Sequence, residues 1–238
     1  MRQVWYIAAK ELRSYFVSPV AYIVVFMWLF VTGLFFYGSV TASQEASLNN
    51  VFGVITVLLI FAPPFLTMRL LAEESRMGTL ELLLTAPVKD WAVVLGKFLA
   101  VLVLYAAMIA PTLLYGVILT LFNGNPDWGP IWSGYLGLLL VGMLFLSVGL
   151  FASALTSNQM VSAVIAFVLL LLLFVISQLS QNVSAGLGDF LRKISIGERF
   201  DPFERGIVDL RDIVFYLSVS ALVLFLTVQV VEARRYRA

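Results

Sequence analysis

The sequence predicts an all-α, polytopic membrane protein, and three observations predict it. Hydrophobic residues make up 61% of the 238 residues and charged residues only 12%, with a mean hydropathy of +0.99, whereas soluble domains are roughly 45–50% apolar and 25% charged. Apolar runs near the length of about 20 residues that crosses the hydrocarbon core as a helix recur along the chain. Cysteine and histidine are both absent, which removes disulfides, thiolate nucleophiles, imidazole metal ligands and the usual general base. No catalytic, cofactor-binding or metal-ligating residue is expected, and residues 1–238 read as a single transmembrane domain.

The first element, residues 1–18, is predicted as an amphipathic helix. On a 3.6-residue wheel Val4, Trp5, Ala8, Leu12, Tyr15 and Phe16 gather on one arc opposite Arg2, Lys10, Arg13 and Ser14, while Ile7 and Glu11 misfit. Such a helix lies in the membrane interface with Arg2, Lys10 and Arg13 toward water. A basic topogenic tail and a docking site for a cytoplasmic partner are the competing readings. The charges at Arg2, Lys10, Glu11 and Arg13 leave no compact apolar stretch of the kind a cleavable signal needs.

Six spans follow, at about 20–40, 51–68, 92–122, 131–155, 160–179 and 213–231. Pro63 and Pro64 should bend the second. Pro111 should kink or end the first piece of the third, which is too long for one straight crossing. Glycines 134, 137, 142 and 149 in the fourth span, with Ser153 four residues on, permit close helix approach, either within the subunit or at a dimer seam. With a cytoplasmic N-terminus, Arg2, Lys10, Arg13, Arg69, Arg76, Lys89, Lys97, Arg234, Arg235 and Arg237 all fall inside, and the short outer loops near Glu45 and Asp127 carry no basic residue. Both termini are therefore expected in the cytoplasm.

Two polar stretches interrupt the spans. The outer one, residues 181–212, interleaves Arg192, Lys193, Arg199, Arg205 and Arg211 with acids. Leu187, Phe190, Leu191 and Ile194 follow helical spacing, so a short extracytoplasmic cap or a shallow re-entrant hairpin is expected. The inner one, residues 73–87, opens with Glu73 and Glu74. It continues as "GTLELLLT", a short helix with Thr79 as candidate N-cap, and stops at Pro87. Asp90 should then cap the next span, Trp91 sit at the interface and Lys97 snorkel toward the headgroups. Leu80, Leu82, Leu83 and Leu84 are too many apolar groups for a solvated turn, and the acids too many charges for lipid. The segment wants a protein surface.

The run "EESRMGTLELLLTAPVKDWAVVLGKFLA" is similar to the coupling-helix region of type-2 ABC exporter permeases, through Glu73, Glu74, Gly78, Thr79, Glu81, Leu82, Thr85, Pro87, Gly96 and Lys97. The C-terminal stretch from Phe200 resembles the subset associated with gliding motility and nitrous-oxide-reductase maturation. The resemblance implies a non-catalytic permease subunit in a bacterial inner membrane, pairing with a second permease half, as a homodimer or heterodimer, and with cytoplasmic ABC ATPases that bind ATP and magnesium. It assigns ATPase coupling to Glu73, Glu74, Gly78, Thr79, Glu81, Leu82, Leu83, Thr85 and Pro87. The chain itself carries no G-x-x-x-x-G-K-[ST] phosphate loop, so nucleotide belongs to a partner. Charge is missing from the middle of the expected spans, which argues against an ion-coupled carrier. Export is one functional reading. The other is an ATPase-driven complex that remodels an envelope partner, with an auxiliary membrane protein bearing an extracytoplasmic domain as a further candidate partner. No nucleic-acid partner is expected.

Overall fold

The computed structural model describes residues 2–43, 47–79, 89–122, 124–182 and 195–235. Every regular element among them is helical: α1 (Arg2–Val17), α2 (Pro19–Ser43), α3 (Asn49–Leu58), α4 (Ala62–Thr67), α5 (Ala72–Arg76), α6 (Asp90–Ile109), α7 (Leu114–Leu121), α8 (Trp128–Leu155), α9 (Gln159–Asn182), α10 (Ile196–Glu204) and α11 (Leu210–Arg235). Among the described residues, five stretches are long and apolar enough to cross a membrane: Ala21–Ala42, Asp90–Leu121, Trp128–Leu155, Gln159–Gln178 and Leu210–Arg234.

Prolines shape two of the remaining features. Pro63 and Pro64 do not bend a continuous second span. They open α4 at its first turn, where a missing N–H costs nothing. The preceding residues tighten, with Ile60 and Phe61 N–H donating to the carbonyls of Val57 and Leu58, three residues back. The stretch expected at 51–68 is therefore two short helices. Pro111 acts as expected, since α6 passes through a 3-10 turn at Ala110–Leu113 before continuing as α7.

At the centre stands α8, against which α3, α4, α6, α9, α10 and α11 all pack. Association of helices in lipid gains nothing from the hydrophobic effect and relies on close packing of small residues. The small-residue row of α8 serves this purpose inside the subunit: Phe52 covers Gly134, Phe200 and Phe203 cover Gly137, the Tyr105 ring covers Gly142, and Thr67 covers Gly149. Tyr105 also donates to the Leu138 carbonyl at 2.7 Å. Of the two uses open for these glycines, packing within the chain is the one observed.

The two ends of α8 hold different structures. At its N-terminal end, Ser133 donates to the Phe203 carbonyl at 2.6 Å. Tyr216 donates to Ile196 O at 2.8 Å, and Arg199 pairs with Asp212 at 2.7 Å. These contacts clamp α10 across the bundle. The expected helix through Leu187, Phe190, Leu191 and Ile194 lies outside the described residues. At the other end of α8, Ser153 meets α5, and α1 lies along the start of α6.

Candidate coupling site at the α1 end

The segment Arg69–Thr79 is held from four sides. Ser153 Oγ of α8 accepts from the backbone N–H of Leu71 and of Ala72, at 3.1 and 3.0 Å, and its hydroxyl donates to the Met68 carbonyl. A side chain from another helix thus does the capping that no local residue performs at Leu71. Arg69 Nε pairs with Glu73 at 2.8 Å, one helical turn on, and Arg69 also reaches Ser18. That hydrogen bond to Glu73 is the main reason the guanidinium is held charged more firmly than usual. Arg234 of α11 donates to Ser75 Oγ at 2.7 Å. Finally, Gly78 ends α5 at φ +68°, the left-handed conformation that glycine reaches without a Cβ penalty.

The fourth side is a buried ion cluster. Lys97, two turns into α6, is 1% exposed, with Nζ 2.8 Å from Glu74 Oε1 and 2.9 Å from Glu11 Oε1. Lys10 stands 3.9 Å from both carboxylates and faces water. An unpaired ammonium at such a position would lose its charge or unfold its surroundings. Two carboxylates pair with it and tie α1, α5 and α6 together. Glu74 Oε2 is shut off from solvent without a hydrogen-bond partner among the described residues.

α1 approaches close enough for this because of Gly96. A Cβ there would lie 2.8 Å from Ile7 Cβ and 3.0 Å from the Val4 carbonyl. Tyr15 donates to Leu66 O, and its own burial, then the charge of Glu11, raises its pKa, so it remains a donor. Between α1 and α5 is a polar cavity of about 220 Å³ lined by Ser14, Tyr15, Ser18, Arg69, Glu73 and Lys97. Among the described residues no cluster suits a metal ion.

Several expectations meet these facts directly. Lys97 does not snorkel: the carboxylates of Glu11 and Glu74 offer it a better partner than headgroups. Asp90 is the first helical residue of α6 rather than its cap, and Lys89 holds the cap position without a side-chain bond. Glu74 turns inward to Lys97. The Thr79 hydroxyl donates to the Glu74 carbonyl at 3.3 Å. Glu81, Leu82, Leu83, Thr85 and Pro87 lie outside the described residues. Arg2, Lys10 and Arg13 are exposed on α1, as are Trp5, Tyr6 and Phe16. The inward face of α1 is Val4, Ile7, Ala8, Glu11, Leu12 and Tyr15, so the two wheel misfits, Ile7 and Glu11, make the decisive contacts. Ser153 and Arg234 were invisible as site residues in the sequence.

A smaller charged group sits at the α10 end. Glu204 lies half-buried against Gly53 of α3, and burial, reinforced by Asp201 and opposed by Arg205, pushes its pKa up to about 7.

A membrane-embedded helical bundle with a polar knot at one end is a general description until residues 64–235 are compared with known families. They match the family described as ABC-2 family transporter protein. The chain belongs to the ABC-2 family. It is a membrane permease subunit of an ABC transporter, a family role that implies a cytoplasmic ABC ATPase as partner. No curated protein matches it. The matched region of this ABC-2 protein starts in α4 and includes α5, Lys97, Ser153 and Arg234. Glu11 and the rest of α1 lie before it.

Proposed function

We propose that the chain couples ATP hydrolysis by partner ATPases to export, using residues 73–87 as the surface on which an ATPase docks. In this reading α3 and α4 together make a sixth crossing, both termini are cytoplasmic, and the chain pairs with a second permease half in a bacterial inner membrane. We place it with the permeases associated with gliding motility and nitrous-oxide-reductase maturation, on the resemblance of its C-terminal stretch. The observation that carries the coupling reading is the bonding of α5. Helix α5, which leads into the proposed docking segment, is attached by side chains to α1, α6, α8 and α11 at once. A push delivered to residues 80–88 would then reach several spans together and shift them between two arrangements.

Orientation is the first test, and the absence of native cysteine makes it clean. Single cysteines at Thr85 and Ala238 should react with an impermeant thiol reagent in inside-out vesicles only, and one at Ser184 in right-side-out vesicles. Reaction at Thr85 from the outside would overturn the docking reading.

A further inference from the structure

Away from the charge cluster, α9 and α11 both pack on α8 but scarcely on each other. Between them runs a cleft of about 370 Å³, floored by Val148 of α8 and walled by Leu172 of α9 and by Val219 and Val223 of α11. Every described residue lining it is apolar, and toward α10 these include Ile196 and Phe215. We propose that this cleft binds one phospholipid, with an acyl chain between α9 and α11 and the phosphate at Arg199.

Both walls are helices long and apolar enough to cross the membrane, so hydrocarbon rather than water fills the space between them. The lining along α11 extends from Phe215 to Leu226, about 16 Å at 1.5 Å per residue. A groove of that length and of about 370 Å³ has room along it for one acyl chain. An extended hydrocarbon chain fits. At the α10 end, Ile196 and Arg199 share a helix face at i, i+3. The Arg199 guanidinium lies 4.0 Å over the Phe215 ring, is fixed by Asp212 at 2.7 Å and keeps 22% of its side chain exposed. Through Phe215 and Ile196, both of which line the cleft, this cation adjoins its α10 end, where a headgroup attached to a chain inside would lie. Guanidinium is well matched to phosphate oxygens. Because lipid tails are as apolar as leucine, the chain alone gains little over bulk lipid. Retention then depends on the Arg199–phosphate contact, and a lipid without phosphate should not be selected.

The test uses the full chain in nanodiscs containing a trace of phosphatidylglycerol with a diazirine in its acyl chain, or the matching diazirine diacylglycerol. After illumination, adducts are mapped by mass spectrometry. The phosphatidylglycerol probe should label residues 169–173 and 215–226 about fivefold or more above the exposed Phe26 and Phe30 face of α2. Val219→Trp, which fills the cleft, should reduce this to the α2 level. Arg199→Gln should lower phosphatidylglycerol labelling several-fold and leave diacylglycerol labelling unchanged. Equal labelling of the cleft and α2 in the unaltered chain would mean annular lipid only and would overturn the proposal. So would an efficient interchain disulfide in Val223→Cys, because a second copy would then occupy the cleft.

Discussion

Replacing Lys97 with Met keeps an unbranched apolar stem and deletes the charge that joins α1, α5 and α6. Glu11 and Glu74, whose side chains are only 14% and 13% exposed, would then face each other with no buried counter-ion. Breaking a buried ion pair from one side costs about 3–5 kcal/mol, most of it the penalty of the stranded charge. Here Lys10 stands 3.9 Å from both carboxylates and can swing inward, which places the loss nearer about 2–4 kcal/mol. For a chain of this size that corresponds to a thermal midpoint lowered by about 5–15 °C. The assay is thermal aggregation of the purified permease followed by size-exclusion chromatography in one detergent. Adding Glu74→Gln to Lys97→Met should recover at least half of the loss, since the stranded charge is halved. If Lys97→Met melts within about 2 °C of the unaltered chain, or Glu74→Gln brings no recovery, the cluster does not hold these helices together.

Two further perturbations probe the same architecture. Ser153→Ala removes the acceptor for the Leu71 and Ala72 N–H groups, and a loss of about 2 kcal/mol is expected. It should be read as a lower thermal midpoint with faster proteolysis in the segment after Arg69. At the α10 end, burial raises Glu204 to about 7, so the native state holds that proton more tightly than the unfolded state. Stability from this site is present at low pH and is lost as pH rises through about 7. Glu204→Gln should flatten the fall in thermal midpoint between about pH 5 and pH 8, and an unchanged pH slope would contradict the assignment.

Much of the fold was legible because lipid imposes a simple rule: long apolar runs become helices. The break at Pro111 followed from backbone chemistry alone. Pro63 and Pro64 carried the same signal, but whether a proline bends a helix or starts a new one depends on the residues packed around it. The candidate site was legible only in part. Glu73, Glu74 and Gly78 were found from local pattern and resemblance, and Glu73 pairs locally with Arg69, whereas the other side chains that hold the segment are distant in sequence. Glu11 is 86 residues from Lys97, and Ser153 is 82 from Leu71. A one-dimensional reading gives Lys97 nothing to pair with and sends it to the headgroups. The signal that was available lay in the misfits. Glu11 on an otherwise apolar arc and a lysine eight residues inside a span were each costly alone, and two such costs of opposite sign point to a pair.

The central claim is that residues 73–87 receive an ATPase, and co-purification tests it most directly. Glu81→Lys and Leu83→Asp permeases, expressed with their ATPase and isolated in mild detergent, should insert at normal yield yet lose most of the bound ATPase and the coupled ATP turnover. ATPase retained at unaltered stoichiometry, with coupled activity intact, would make the segment a mere connection between spans and would contradict the account.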